Sequence, residues 1–130
     1  MNVLLSIRPK YCEALLSGEK KYEFRRTIFK NNDVKKVYLY CNSDIKKIVG
    51  SFEIKNVLIG SPKDIWNKCK KYAGIKRKDF FEYFKGTNTA YAIKVKKTRK
   101  LKRPINPYAT MKNFVAPQSF YYISSVWSKN

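Results

Sequence analysis

The segment 18–26 joins a helix stop directly to the start of a strand, which constrains the local fold more than any other stretch. Gly18 can end a helix in the left-handed conformation that other residues resist. In the extended chain that follows, Tyr22 and Phe24 point to one face. The opposite face presents Lys21, Glu23 and Arg25. This ordered row of cation, carboxylate and cation predicts either a solvated sheet face or the floor of a site for an anionic or hydrogen-bonding ligand.

Short β-prone runs are interspersed with helical segments along the chain. Strands are predicted at 3–7, 20–26, 34–41, 48–59, 89–97 and 120–123, and helices at 9–17, 62–72 and 76–84. Gly50 is predicted to be a bulge or a point of close approach, and an irregular passage is predicted around Pro104 and Pro107. The order does not show the regular alternation of a doubly wound parallel sheet. It predicts an α+β fold, a small and mostly antiparallel β-barrel with helices.

Positive charge dominates the composition, with 29 Lys and Arg against 9 Asp and Glu and a net charge of +20. A domain this basic attracts polyanions, because binding releases their condensed counterions. Lys94 to Arg103 contains seven cations, and no carboxylate follows Glu82. A lysine-rich proteome is the alternative explanation. Since no amphipathic helix has a Lys-rich face opposite a broad apolar face, the pattern favours nucleic acid over a membrane surface.

A length of 130 residues favours a single domain spanning residues 1–130. No segment approaches the roughly 20 apolar residues of a membrane span, and the N-terminal apolar run is too short for a signal peptide. We therefore expect a cytoplasmic protein, or a nuclear one in a eukaryote, without a membrane partner. The oligomeric state is left open.

The chain contains no histidine, and its three cysteines are far apart. This composition excludes the usual Ser-His and Cys-His pairs and argues against a zinc site. A Gly-rich phosphate loop of either common type is also missing. We expect neither a metal nor a cofactor. Asp79 and Glu82, three residues apart on a predicted helix, are interpreted as solvated partners of Lys76 and Lys78.

Glu23 is the best placed of the carboxylates for chemistry. Lys21 and Arg25 on the same strand face would keep it ionised. It could then accept hydrogen bonds from a base edge or an amine, or act as a general base. The alternative is an ion pair on a solvated sheet face, which typically contributes about 0–1 kcal/mol.

Ten tyrosines and eight phenylalanines are interleaved with the lysines. Exposed aromatic rings beside cations suit single-stranded nucleic acid, since each stacked base contributes about 1–3 kcal/mol. Most of the rings are expected in the core, including Tyr72 in the buried stripe of the helix at 62–72. Four tyrosines are candidates for a solvated edge, because a phenol tolerates one. These are Tyr38, Tyr40, Tyr121 and Tyr122.

Several of these segments together resemble the ASCH domain family of the PUA-like group. The similar stretches are 5–9, 17–26, 47–52, 90–93 and 117–121, with the helix that contains Trp66. The block Gly-x-Lys-x-x-Glu-x-Arg from Gly18 to Arg25 becomes fairly specific in combination with Pro-Gln-Ser-Phe at 117–120. The resemblance covers nearly the whole chain.

The resemblance implies a PUA-like β-barrel of five or six strands with helices covering its ends. It also implies a cleft lined by the family's motif residues, here Ser6, Lys20, Glu23, Arg25, Gln118 and Ser119. Family members are generally thought to bind RNA, and a few are enzymes that cleave RNA or hydrolyse the amide of N4-acetylated cytidine. That hydrolase branch uses a nucleophilic Thr where this chain has Glu23, so the chain departs from its pattern.

Three functions follow, and we favour the first. It is a nucleic-acid-binding module for RNA or single strands, with a cleft that reads a nucleotide. Its predicted contact residues are Ser6, Arg8, Lys20, Lys21, Glu23, Arg25, Arg26, Lys97, Arg99, Arg103, Gln118 and Ser119. The second is a small hydrolase or ribonuclease acting on RNA or a modified nucleoside, with Lys20 and Glu23 as catalytic residues. The third is a protein-interaction module with an exposed apolar patch at 121–127.

Overall fold

The structure, a computed structural model, describes residues 1–124 and contains a six-stranded sheet with helices. The strands are β1 (Asn2–Ile7), β2 (Tyr22–Arg25), β3 (Lys36–Cys41), β4 (Lys47–Gly60), β5 (Ala90–Ile105) and β6 (Phe120–Ile123). The helices are α1 (Pro9–Ser17), α2 (Pro62–Cys69), α3 (Arg77–Tyr83) and α4 (Pro107–Thr110), and a 3₁₀ turn covers Lys70–Tyr72.

The strand order in the sheet is β2-β5-β4-β3-β1-β6. β1 and β3 pair in parallel, and the other neighbours pair in antiparallel fashion. The predicted α+β, mostly antiparallel fold is therefore confirmed. The sheet curls into a half-barrel, so that its two edge strands approach each other: Arg25 on β2 donates a hydrogen bond to the hydroxyl of Ser119, directly before β6.

Local sequence signals account for the helix that precedes β2. Pro9 begins α1, where its fixed φ suits the first turn. Gly18 ends the helix with a φ of 87°, and its N–H donates to the Leu15 carbonyl at 3.3 Å. These two residues determine where β2 can begin.

The parallel pair of strands, β1 and β3, is buried on both faces. One face packs against α1 and contains Leu5, Val37 and Leu39. The opposite face contains Leu4 and the side chains of Tyr38 and Tyr40. A third cluster lies between the β2–β5 end of the sheet and the helices α2 and α3. Burying apolar area on both faces is the main stabilising contribution available to a sheet of this size.

Tyr38 and Tyr40 are wrong as candidates for a solvated edge, since only 1% and 2% of each residue is exposed. The segment that follows β5 covers them. The Tyr40 hydroxyl lies 3.1 Å from that of Tyr108, and the Phe114 ring centroid lies 5.6 Å from that of Tyr40. The covering residues are distant in sequence, which is why strand alternation alone misplaces these rings.

β5 is longer than predicted and includes the basic run. The prediction of an irregular passage at Pro104 is therefore wrong, because this residue lies within the strand. The strand continues to Ile105, which pairs with Ile48 of β4. β2 pairs with β5 only up to Lys94. Beyond Val95, the strand pairing of β5 within residues 1–124 is with β4, and a proline is tolerated where only one side of a strand joins a ladder.

The proposed apolar patch at 121–127 is only partly described, because residues 125–130 lie outside the described part of the chain. Within it, Tyr121 donates from its hydroxyl to the Val115 carbonyl at 2.9 Å, and Ile123 is buried. No helix in residues 1–124 has both the length and the apolar character needed to cross a membrane.

Gly50 on β4 is a point of close approach, as predicted. A Cβ placed at this position would lie 2.5 Å from the Arg99 carbonyl oxygen and 2.7 Å from a methyl group of Leu16. The pairing register of β4 shifts at the same place. Glycine here lets β5 and α1 approach β4 closely.

We expect Gly50→Ala to lower the free energy of unfolding by about 1–3 kcal/mol, because the added methyl group overpacks the site. Gly60→Ala is the matched control on the same strand, since the nearest atom to its new Cβ is 3.6 Å away. That change should stay within about 0.5 kcal/mol. Urea denaturation of both variants tests this, and equal losses would contradict it.

Candidate functional site

A cleft of about 700 Å³ opens where the two edges of the sheet meet. The end of β1, the start of α1, β2, α3 and the loop before β6 form its walls. Eight of the predicted contact residues line it: Ser6, Arg8, Lys20, Glu23, Arg25, Arg26, Gln118 and Ser119. Four of the predicted residues, Lys21, Lys97, Arg99 and Arg103, are not part of this lining.

Lys20 is nearly inaccessible, with 2% of the residue exposed. Its ammonium group donates to the Ala73 carbonyl at 2.6 Å and lies 4.5 Å from the Phe24 ring centroid and 5.3 Å from that of Tyr11. Gly74 makes room for its stem, because a Cβ on Gly74 would lie 2.4 Å from the Lys20 Cβ. With a φ of 62°, Gly74 also adopts a backbone conformation that favours glycine.

Burial lowers the pKa of Lys20 from 10.5 to about 8, because desolvation disfavours the ammonium form. The nearby Glu23 carboxylate acts in the opposite direction and stabilises the charge. Near neutral pH the side chain is thus a cation that releases its proton readily. This is the property required of a lysine in acid–base chemistry.

Glu23 and Arg25 form a largely buried ion pair at the floor of the cleft. Arg25 Nη1 lies 3.3 Å from Glu23 Oε2, with 11% and 8% of the two side chains exposed. The second guanidinium nitrogen of Arg25 donates to the Ser119 hydroxyl. Removing one member of a buried pair leaves an uncompensated charge, at a cost of about 3–5 kcal/mol. The alternative of a solvated surface ion pair is therefore wrong.

The cation row predicted around Glu23 needs one correction. Lys21 is exposed, and its ammonium lies 4.1 Å from the Tyr72 ring centroid outside the cleft. Lys20, one residue earlier, is the lysine that acts on Glu23. The chain leaves α1 irregularly, with the Lys20 N–H bonded to the Ala14 carbonyl and the Lys21 N–H bonded to the Tyr72 carbonyl. Strand alternation begins only at Tyr22.

Backbone groups anchor two further sides of the cleft. Arg26 Nη1 donates to the carbonyls of Tyr83 and Lys85 at 2.8 and 2.9 Å, which ties β2 to the end of α3. The Ser6 N–H donates to the Ser119 carbonyl at 3.1 Å. The loop before β6 is thus held against the end of β1.

Two carboxylates of the cleft lining were not predicted as site residues. Asp79 and Glu82 on α3 line the cleft together with Glu23, so the interpretation of the two as solvated partners of nearby lysines misses their place in the site. Their spacing of three residues puts both on one helix face, which was the available signal. Tyr11, Asn42 and Tyr83 also line the cleft without having been predicted.

The charged groups of the cleft are five cations and three carboxylates. The cations are Arg8, Lys10, Lys20, Arg25 and Arg26, and the carboxylates are Glu23, Asp79 and Glu82. Such a mixture can satisfy an anionic group and hydrogen-bond donors of the same ligand.

The acidic residues and cysteines of residues 1–124 form neither a candidate metal cluster nor a disulfide. No group of three or more His, Cys, Asp or Glu side chains in this range is placed to hold a metal ion. Cys12, Cys41 and Cys69 are free and buried, as expected for small core residues. Burial raises the pKa of the Cys69 thiol to about 11, so the thiol nearest Lys20 is not a ready nucleophile.

A family model, a curated relative and a solved structure all relate this chain to ASCH domains. The model of the ASCH domain family matches residues 5–102. The chain is 32% identical over 124 residues to the large ribosomal subunit protein uL22 of Ureaplasma parvum serovar 3, covering 93% of this chain but only 39% of that protein. It is 26% identical to the ASCH domain-containing ribonuclease of Zymomonas mobilis, covering 92% of this chain and 82% of that protein.

The crystal structure of ASCH from Zymomonas mobilis superposes with a TM-score of 0.87 at 25% identity, covering 94% of this chain and 87% of that one. This similarity confirms the predicted PUA-like fold.

We expect the stability of the wild type, relative to Lys20→Met, to rise by up to about 3 kcal/mol between pH 8 and pH 10.5. In that range the unfolded chain keeps a proton on Lys20 that the folded chain has released, so deprotonation favours folding. Methionine has a similar shape and no charge. Denaturant titrations of both proteins across this range test the expectation, and parallel pH profiles would contradict it.

Proposed function

This chain belongs to the ASCH domain family, and from that premise we propose that it binds RNA or another single-stranded nucleic acid and holds one nucleotide in its cleft. The main support is the cleft itself, which gathers arginines and carboxylates at the closed seam of the sheet. A cytoplasmic location fits this role. The activity and partners of any longer protein that contains this domain are part of the same proposal.

The size of the cleft suits a single nucleotide. Its volume of about 700 Å³ lies within the roughly 300–1,000 Å³ typical of small-molecule sites. A double helix requires a groove-shaped or convex surface instead. Single-stranded RNA can turn one unstacked base into such a pocket and expose its hydrogen-bonding edge.

The distribution of charge supports a division of roles within the cleft. Arg8, Arg25 and Arg26 provide guanidinium groups, which suit bidentate contacts with phosphate. Glu23, Asp79 and Glu82 provide acceptors for amino or imino groups of a base. In this arrangement the ligand replaces neither the Arg25–Glu23 contact nor the Arg25–Ser119 contact.

The basic run of β5 provides a second contact region. Lys97, Arg99 and Arg103 lie there with exposed side chains, outside the cleft. A cationic row can follow the phosphates of a single strand. The alternative is that these exposed cations keep β5 from pairing with the sheet of another molecule. If these cations contact phosphates, their removal reduces the salt dependence of RNA binding; if they only protect the strand, it does not.

We expect the double variant Lys97→Gln/Arg99→Gln to weaken RNA binding and to reduce the slope of log K against log salt by about 1.4, since each lost phosphate contact contributes about 0.7 for a single strand. Fluorescence anisotropy at several salt concentrations measures this. The matched control is Lys30→Gln/Lys63→Gln, which removes two exposed cations elsewhere. An equal change in both double variants, or none in either, would contradict a contact at β5.

RNA cleavage is the second candidate, favoured by the low pKa of Lys20 beside Glu23. The neutral amine can accept the proton of a ribose 2′-hydroxyl while its oxygen forms a bond to phosphorus. The bond from phosphorus to the 5′-oxygen breaks, and the leaving oxygen takes a proton from water. Arg25 stabilises the charge that develops on the phosphoryl oxygens. The Zymomonas relative, named a ribonuclease, supports this reading.

If Lys20 is the base, the cleavage rate should rise with pH through a midpoint near 8, the pKa of its ammonium group. Glu23→Gln should move this midpoint to lower pH, because the carboxylate that stabilises the charge is removed. Rates on labelled RNA, measured from pH 6 to 10 at saturating protein, test both points.

Glu19→Gln is the control, since that carboxylate is exposed and outside the cleft. Cleavage that persists unchanged in Lys20→Met would exclude Lys20 as the base. A wild type that cleaves no RNA would leave binding as the function.

A further inference from the structure

Tyr72 presents a ring to solvent between two lysines, although the sequence predicts it to be buried. Its exposed fraction is 40%. The Lys21 ammonium lies 4.1 Å from the ring centroid, and the Lys71 ammonium lies 5.5 Å from it. We refer to Tyr72, Lys21 and Lys71 as the Tyr72 platform.

The backbone beneath the ring is held firmly. The Tyr72 carbonyl accepts the Lys21 N–H at 2.9 Å, and the next residue, Ala73, is buried with its carbonyl bonded to the Lys20 ammonium. Gly74 then ends the segment. A ring on such a support loses little conformational freedom when a ligand stacks on it.

The platform adjoins both proposed contact regions. On one side, Lys20 and Ile75 line the cleft, and each is a close chain neighbour of a platform residue. On the other side, the Lys21 carbonyl accepts the Val95 N–H at 3.1 Å, and Val95 lies between Lys94 and Lys96 at the start of the basic run. Lys21 thus follows a cleft residue along the chain and is hydrogen-bonded to β5, which places the platform next to elements of both regions.

We propose that the Tyr72 ring is a stacking subsite for a base of single-stranded RNA that follows the nucleotide in the cleft. This inference rests on the proposed function. The local chemistry matches such a ligand, since the ring stacks on any base and the flanking ammonium groups meet the adjoining phosphates.

The lysine over the ring does not block this site. A lysine–ring contact at an exposed position is weaker than base–aromatic stacking. An arriving base therefore displaces the Lys21 ammonium, which can move to the neighbouring phosphate. The base then stacks on the Tyr72 ring while the displaced ammonium neutralises the neighbouring phosphate.

The test is the affinity of three variants for a labelled single-stranded RNA dodecamer, with inorganic polyphosphate of similar charge as a competitor that has no bases. We expect Tyr72→Ala to weaken RNA binding about tenfold. The inhibition constant of polyphosphate, which reports its own affinity, should stay unchanged. Tyr72→Phe keeps the ring and should bind within about twofold of the wild type. Tyr122→Ala is the matched control, since Tyr122 has a similar exposed fraction of 38% but lies on β6, outside the Tyr72 platform. It should weaken RNA binding less than Tyr72→Ala does.

Each outcome has a definite meaning. RNA binding by Tyr72→Ala that equals the wild type overturns the stacking subsite and leaves the proposed function intact. Equal losses for RNA and polyphosphate also overturn it, because they indicate an effect of charge or of folding. A wild type that binds no RNA overturns the proposed function and the subsite together.

Discussion

The hydrogen bonds of Arg25 join the two edges of the sheet, and the cleft depends on them. β2 and β6 occupy opposite ends of the strand order, and no strand ladder in the described chain connects them. Arg25 connects them with one guanidinium group, which contacts Glu23 on its own strand and Ser119 before β6. A half-barrel closed by side chains leaves an opening at the seam, whereas a closed ladder would fill it. The contacts of Arg25 therefore both close the half-barrel and shape the candidate site.

The burial of Lys20 is unfavourable for the stability of the fold. A charge buried among rings and carbonyls is unfavourable, and its lowered pKa measures that penalty. Glu23 and the Ala73 carbonyl offset part of it. A stable fold has no need for a lysine at this position, since an apolar side chain of similar shape would fill the space. Strain and desolvation that packing does not require are typical of functional sites.

The two proposed contact regions differ in kind. The cleft mixes cations with carboxylates and has a volume of about 700 Å³, which suits the proposed recognition of one nucleotide. The β5 run is purely cationic and exposed, which favours affinity without sequence preference. Tyr72 lies on the short segment that also holds Lys20, and Lys21, which contacts its ring, is hydrogen-bonded to β5. A single strand could therefore be read at one point and held along its length.

The sequence by itself determined the elements whose signals lie within a few residues: the ends of α1 at Pro9 and Gly18, the close approach at Gly50 and the α+β class. It also indicated eight of the residues that line the cleft. Tertiary structure decided which lysine faces Glu23, the burial of Tyr38 and Tyr40, the exposure of Tyr72 and the place of Asp79 and Glu82 in the cleft. Caps, turns and alternation depend on neighbours along the chain. Burial depends on residues such as Ala73, which meets Lys20 across 53 positions of sequence, and no local pattern encodes such a contact.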